Sequence, residues 1–331
     1  MIEMGFYFMT TFNWAIVGLG GIAANMADTL QARDNKIYAV ASRSTAKAEA
    51  FAENYTVEKT YGSYSEVFAD EKVDIVYIAT PHNNHYEYIM EALHHNKHVL
   101  CEKAITVNSS ELEEIIALAQ EKKLFVSEAM TIFHMPLFKE IKRLINEGIL
   151  GEMKMIQASF GSSKPYDVTS RFFNPDLAGG ALLDIGTYAV SFARYFLSSQ
   201  PHQIKTTMKQ FETGVDEQSG ILLQNNEGEI AVINLSIRAK TPKTAVLGGD
   251  KGYITITDYP RADKATFIST AGETTLIQAG SGADAMLYEV EDFEKLLLGN
   301  LENTLPLSKD VLDILTDVRE QWGLVYSFEK K

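Results

Sequence analysis

The sequence predicts an α/β protein: an N-terminal parallel sheet covered by helices, then an α+β domain with an open, largely antiparallel sheet. Three observations carry this. From Asn13 to Glu128, short apolar blocks alternate with segments of helical spacing. After about residue 129 the rhythm changes, and between 203 and 278 strands are joined by turn signals such as "NNEG", "GGDKG" and "TAGE". The length of 331 residues is enough for about two domains, each with its own core. Strands that run as continuous apolar blocks belong to a parallel sheet buried on both faces, whereas alternating strands are half-buried.

In chain order, "WAIVG" reads as a strand and "GIAANMADTLQA" as a helix. "IYAVAS" is a second strand, followed by the Ala-rich helix "STAKAEAFAENY". Next come the strand "DIVYIAT", the helix "YEYIMEALHHN", the strand "HVLCEK", the helix "SELEEIIALAQEKK" and the strand "LFVSE". Ser110 and Glu113 have the spacing of a capping box at the start of that last helix. The second half opens with the helix "PLFKEIKRLINEG" and the strand "EMKMIQASF". A long polar loop and a helix around "GGALLDIGTYAVSFARYFL" follow. "INLSIRA" and "YITITDY" alternate as antiparallel strands do, and helices near 284–298 and 308–324 close the chain. The division expected is 10–128 and 129–331, with the final helix able to pack back on the first unit. Residues 1–8 make a poor signal peptide; the alternative is a loose extension ahead of Met9.

Composition narrows the function classes. Apolar residues make up 46% and charged ones 22%, the mix of an ordinary globular protein. The net charge is −14 and no long basic run occurs, which argues against a nucleic-acid partner. No apolar stretch is long enough to span a membrane, and the start lacks the cationic region of a signal peptide. Cys101 is the sole cysteine, so no intrachain disulfide or thiolate cluster can form, and a reducing cytoplasm is the expected setting. His94 and His98 lack a completing carboxylate or thiolate, and no metal is expected.

The first strand runs into Gly18-Leu19-Gly20-Gly21-Ile22-Ala23, a G-x-G-x-x-A fingerprint between a strand and a helix. Gly18 permits a tight turn, Gly20 lets backbone approach a pyrophosphate, and Ala23 allows close packing of helix on strand. The first domain is therefore expected to be a dinucleotide-binding Rossmann domain, with anion-binding N–H groups at the helix start. At the end of the second strand stand Ser42 and Arg43, with no acid to bond a ribose 2′-hydroxyl. Arg43 can pair with a 2′-phosphate, which favours NADP while leaving NAD admissible; the alternative is a solvated loop cation. Thr80, Pro81 and His82 follow the third apolar strand, at the carboxyl edge where such sheets bind ligands. His85 is placed with them on the crevice wall, or else caps the next helix. Glu102 and Lys103 end the strand "HVLCE" at that same edge.

Together these residues resemble the glucose–fructose oxidoreductase/inositol dehydrogenase (Gfo/Idh/MocA) family. The resemblance covers nearly the whole chain: the fingerprint, the Thr80-Pro81…His85 segment, Glu102-Lys103, and "GGALLDIGTYAV". "RFFNPDLAGGALLDIGTYAVSFARYFL" and "EAM" at 128–130 look most like the branch of dimeric dihydrodiol dehydrogenases and NADP-linked D-xylose dehydrogenases. In that family a Pro usually follows the Glu-Lys pair; Ala104 stands here, which suggests a looser backbone. "TIFHMP" also departs from the branch, at a place where substrate would be met.

The resemblance implies an NADP-dependent oxidoreductase acting on a sugar, polyol or cyclic diol. Reduction of another carbonyl or an imine, or a catalytically silent NADP-binding sensor, are the alternatives. On a helix, Asp184 and Tyr188 are i and i+4 and share a face that can be laid over the nicotinamide. Alcohol–carbonyl interconversion needs a proton carrier at the substrate oxygen. Tyr188 is the candidate, Lys103 is expected to lower its pKa and polarise the oxygen, and Asp184 to orient Lys103 or substrate. The alternatives are a packed aromatic for Tyr188 and a backbone contact for Asp184. Glu102 is assigned to the nicotinamide ribose. Lys164, Tyr166, Arg171 and Asn174 are within reach of the crevice without an assigned step. A sheet with helices on one face leaves the other bare, so a homodimer through the C-terminal sheet is expected.

Overall fold

The computed structural model describes residues 12–33 and 37–329; the expectation for residues 1–8 falls outside them. Six parallel strands form the first sheet: β1 (Trp14–Val17), β2 (Ile37–Ala41), β3 (Val57–Tyr61), β4 (Ile75–Ile78), β5 (His98–Glu102) and β6 (Val126–Ala129). Their order is β3-β2-β1-β4-β5-β6, so the chain reverses direction across the sheet beside β1. That reversal opens a crevice at the carboxyl ends of β1 and β4. β1, β2 and β4 are buried along their whole length, as continuous apolar blocks require.

Helices α1 (Gly21–Ala32), α2 (Thr45–Ala52), α3 (Tyr64–Ala69), α4 (His85–His94) and α5 (Ser109–Lys122) connect these strands. The strand β3 and the helix α3 escape sequence reading. β3 is an edge strand whose Glu58 and Lys59 are exposed, so it carries no apolar block to betray it. The capping of α5 also differs from expectation. Asn108 accepts from the Glu111 N–H at 3.0 Å, so the helix begins at Ser109 and the Ser110–Glu113 pair lies inside it.

Beyond β6 come α6 (Thr131–His134), α7 (Pro136–Asn146), β7 (Met153–Gly161), a π-helical turn at Leu182–Gly186 and α8 (Thr187–Phe196). The second sheet adds β8 (Gln203–Gln210), β9 (Asp216–Gln224), β10 (Ile230–Ser236), β11 (Thr241–Gly249), β12 (Gly252–Thr257), β13 (Lys264–Ser269) and β14 (Thr274–Gln278). Its order is β14-β13-β12-β11-β7-β10-β9-β8, antiparallel throughout except for the central β7–β10 pair. Inner-face residues such as Ile221, Leu223, Ile233 and Leu235 are buried beneath α8. On the opposite face Leu222 and Val232, directly paired across β9 and β10, remain exposed.

Phe138 and Phe192, from α7 and α8, meet edge to face and are fully buried. Each such ring contributes roughly 1.5–3 kcal/mol by leaving water, which locks α8 into one position on the sheet. The closing helices α9 (Ala285–Leu297) and α10 (Leu305–Trp322) tie the two sheets together. On α9, Glu294 accepts from the Trp14 indole at 3.1 Å. On α10, Thr316 accepts from the Ser109 N–H at 3.1 Å, while the helix also packs on α8. The second domain is thus held in register over the strand ends of the first.

Candidate active site

A crevice of about 870 Å³ runs along the carboxyl edge of the parallel sheet and is closed on one side by the second domain. At its floor lies the turn from β1 into α1. Gly18 has φ +88°, and a Cβ there would stand 2.8 Å from the Ala79 carbonyl oxygen, so only glycine fits. Gly20 and Gly21 face open space: a Cβ on either would meet no protein atom within 4 Å. The first turn of α1 has neither a side-chain cap nor an acid, so its N–H groups are free to meet an anion. Leu19 and Ile22 complete this stretch of lining. This cradle fits the pyrophosphate of a dinucleotide.

At one end of the crevice stand Ser42, Arg43, Ser44, Lys47 and Tyr64. Ser44 caps α2 by accepting from the Lys47 N–H at 3.4 Å, and Lys47 lines this end of the crevice. Thus Arg43 has a second cation beside it, and no acid lines this end. The sequence pattern points to Ser42 and Arg43 but not to Lys47, one helical turn away, or to Tyr64 on the unforeseen α3.

Thr80, Pro81 and His82 line the middle of the crevice, and burial pushes the His82 pKa down to about 3, so the ring there is neutral. His85 is not on the crevice wall. It is fully buried beneath it, with Nδ1 2.8 Å from the Ala104 carbonyl oxygen and Nε2 2.8 Å from that of Thr80. An imidazole caught between two backbone segments buttresses the loops that carry Thr80 and Lys103. Ala104 itself is 1% exposed, its peptide bond to Lys103 is cis, and the next N–H, of Ile105, donates to the Glu128 carboxylate at 3.0 Å. The expected looseness at Ala104 is therefore absent, because His85 and Glu128 hold the carbonyl and the N–H of the peptide that follows it.

The far end of the crevice gathers Glu102, Lys103, Asp184 and Tyr188. Glu102 accepts from the buried Tyr77 hydroxyl. Lys103 donates to the Asp184 backbone carbonyl, its Nζ lies 3.5 Å from the Asp184 carboxylate, and it stands 4.8 Å from the centre of the Tyr188 ring. Asp184 also receives Arg171 at 3.5 Å. Asp184 sits on the π-helical turn and Tyr188 on the first turn of α8, so their shared face spans a change of helix type. Such turns recur at functional sites because they re-aim side chains. Gly186 packs closely within it: a Cβ would lie 2.8 Å from the side-chain tip of Leu235 on β10, which would have to move.

Electrostatics revise one expectation. Burial pulls the Lys103 pKa down, but Tyr188, Asp184 and Glu102 together outweigh it and the net shift is upward. Burial likewise opposes the charged form of Asp184, yet Lys103 and Arg171 hold it below the usual carboxylate range. For Tyr188 burial wins over the opposing field of Lys103, so the phenol pKa lies above 10.0 and not below it. The resting site is an ammonium and a carboxylate beside a neutral phenol. Sequence reading also missed the wall formed by Phe172 and Leu177–Gly180, since a polar loop with no periodicity gives no sign of where it folds.

A glycine turn opening a helix in a doubly wound sheet, facing an α+β domain across a ligand crevice, defines a dinucleotide-binding protein. Residues 12–130 match the oxidoreductase family with an NAD-binding Rossmann fold, and residues 138–255 match the Gfo/Idh/MocA C-terminal domain. The chain belongs to the Gfo/Idh/MocA family and is an NAD(P)-binding oxidoreductase. It is 32% identical over 327 residues to trans-1,2-dihydrobenzene-1,2-diol dehydrogenase of Xenopus laevis, covering 95% of this chain and 98% of that one. The human protein of the same name is 31% identical over 336 residues, covering 96% and 99%. Among solved structures, the 3-ketoreductase KijD10 of Actinomadura kijaniata, in complex with NADP and TDP-benzene, superposes with TM-score 0.83 at 24% identity, covering 94% of this chain and 97% of that one. Levoglucosan dehydrogenase, in complex with NADH and levoglucosan, gives TM-score 0.85 at 18% identity over 95% and 97%. These two likenesses speak for the fold.

Proposed function

We propose that this chain is an NADP-preferring dehydrogenase or reductase acting on a CH–OH group of a sugar, polyol or cyclic diol. The observation that carries the reading is the placement of Lys103 in the crevice, in contact with both Asp184 and the ring of Tyr188. The names of the relatives, diol dehydrogenases along the full length, support the substrate class. Arg43 and Lys47, with no acid beside them, support a 2′-phosphate on the cofactor.

The dinucleotide would be held by the Gly18–Ile22 turn, by Ser42, Arg43 and Lys47 at its adenosine end, and by Thr80, Pro81, His82 and Glu102 toward the nicotinamide. When bound, it supplies or accepts the hydride. Tyr188 holds the proton that joins the substrate oxygen in reduction and takes it back in oxidation. Lys103 keeps its charge and stabilises negative charge developing on that oxygen. Asp184 fixes Lys103 through its carbonyl and carboxylate, so the ammonium is aimed before substrate arrives. Burial of the whole set excludes bulk water and strengthens each of these interactions.

The second copy of a homodimer would cover the bare sheet face, where Met155, Leu222, Val232 and Tyr253 are 39–42% exposed. A contiguous apolar stripe of this kind on a sheet needs cover. The single buried thiol supports a cytoplasmic setting. The deciding experiment is a spectrophotometric screen of aldoses, polyols and cyclic diols with NADP at alkaline pH, with the reverse reaction followed by NADPH oxidation. Turnover with none of them, alongside tight NADPH binding, would remove the enzyme reading.

A further inference from the structure

Beside the Lys103 end of the crevice stands a group of cations that its acids do not balance; Lys103 and Arg171 line the crevice itself, and Lys164 and Lys243 stand behind them. Lys103, Arg171 and Lys164 all act on the one carboxylate of Asp184, and Lys243 lies close enough to oppose the charge on Lys164. Among the described residues, Lys164 and Lys243 form no ion pair with any carboxylate. This is unexpected in a chain of net charge −14, where acids outnumber bases 44 to 30. Like charges held together cost energy unless something of opposite sign joins them.

Their positions are set by the fold. Lys164 follows the end of β7, where its N–H donates to the Ile237 carbonyl at 2.8 Å, and Lys243 lies at the start of β11. β7 and β11 are paired, with Gly161 opposite Thr241, so both lysines emerge at one end of the sheet. Aromatic rings orient the cations. The Lys164 Nζ lies 4.1 Å from the centre of the Phe172 ring and the Arg171 guanidinium carbon 4.3 Å from the same centre. Lys243 Nζ is 4.9 Å from the centre of Phe160, whose ring neighbours Tyr188 at 6.0 Å. Lys243 is thus one ring removed from Tyr188, and Arg171 meets the Asp184 carboxylate.

We infer that the ground bordering this end of the crevice, beside Arg171 and Phe172, binds an anionic group of the substrate, a carboxylate or a phosphate, held by Lys164, Lys243 and Arg171. The inference rests on the oxidoreductase reading and narrows its substrate class from neutral sugars and diols to acidic ones. Lys164 and Lys243 supply point charges, and Arg171 adds planar donors suited to either anion. Asp184 keeps Arg171 from standing as a third unpaired cation before the ligand enters.

The test is calorimetric titration of the full chain, saturated with NADPH, with D-glucose, D-glucuronate and D-glucose 6-phosphate. At least one anionic sugar is expected to bind about ten-fold or more tightly than D-glucose. Preference for glucuronate alone marks a carboxylate site; preference for the 6-phosphate alone marks a phosphate site. In the double variant Lys164→Gln/Lys243→Gln the preference should vanish while NADPH affinity stays as in the parent. Equal binding of all three sugars, binding of none, or a preference that survives in the variant overturns the inference. Weakened NADPH binding in the variant also overturns it, because the lysines then serve the cofactor. The titration reads binding without turnover, so a failed oxidoreductase reading shows separately, as absence of NADP reduction when the sugars, polyols and diols are offered with NADP.

Discussion

The Lys103 ammonium, at the end of β5, lies 3.5 Å from the carboxylate of Asp184, 81 residues further along the chain. The contact joins the parallel sheet of one domain to the helical turn of the other, so the site exists only when both are folded and docked. Lys103→Met keeps the length of the side chain but removes the charge. Turnover is expected to fall by roughly 10²–10⁴-fold, while NADPH affinity, followed by quenching of Trp fluorescence, changes little. Unaltered turnover would remove Lys103 from the chemistry.

Tyr188→Phe leaves the packing against Phe160 intact and deletes only the hydroxyl, so folding should be preserved. The rate should drop by about 10²–10⁴-fold. Because burial raises the Tyr188 pKa above its ordinary 10.0, the wild-type phenol stays protonated through neutral pH. Carbonyl reduction is therefore expected to hold steady through neutral pH and decline only beyond pH 10, while alcohol oxidation climbs toward alkaline pH. A reduction limb that instead declines near pH 7 would assign the proton to another group.

Arg43→Ala tests the cofactor preference. NADPH should bind roughly ten-fold more weakly, the loss of one charge-assisted contact to a phosphate, with NADH affected little. Equal loss for both cofactors would show that Arg43 serves a part they share.

Glu128 accepts from the Ile105 N–H and is 4% exposed; burial pushes its pKa up to about 7 from an ordinary 4.5. Between those values the folded chain binds a proton that the unfolded chain sheds. The stabilisation is thus full below pH 4.5 and is lost as pH rises through 7. The shift corresponds to roughly 3 kcal/mol. Glu128→Gln should flatten this part of the profile, so that urea unfolding at pH 5 and pH 8 differs less than in the parent. A parent and variant with the same pH dependence would contradict the assignment.

Leu222→Glu places a charge on the bare sheet face, opposite Val232. Light scattering should report a dimer for the parent and a monomer for the variant. A parent that is monomeric at every concentration would leave that face as solvent-exposed surface.

Residue order alone determined the alternation of buried strands and helices, the glycine turn at Gly18–Ala23 and the charged end of the strand "HVLCE". These signals are local: periodicity and turn chemistry are written within a few residues of where they act. The polar edge strand β3 left no such mark, nor did Lys47, whose role depends on the direction α2 takes. Tertiary structure alone decided that His85 lies beneath the crevice, which atoms of Asp184 Lys103 meets, and that Tyr188 remains a neutral phenol. Each of these depends on burial and on charges brought from distant parts of the chain. Desolvation and Coulomb interactions act through space, so the identity of a residue sets its chemistry only once its surroundings have been assembled.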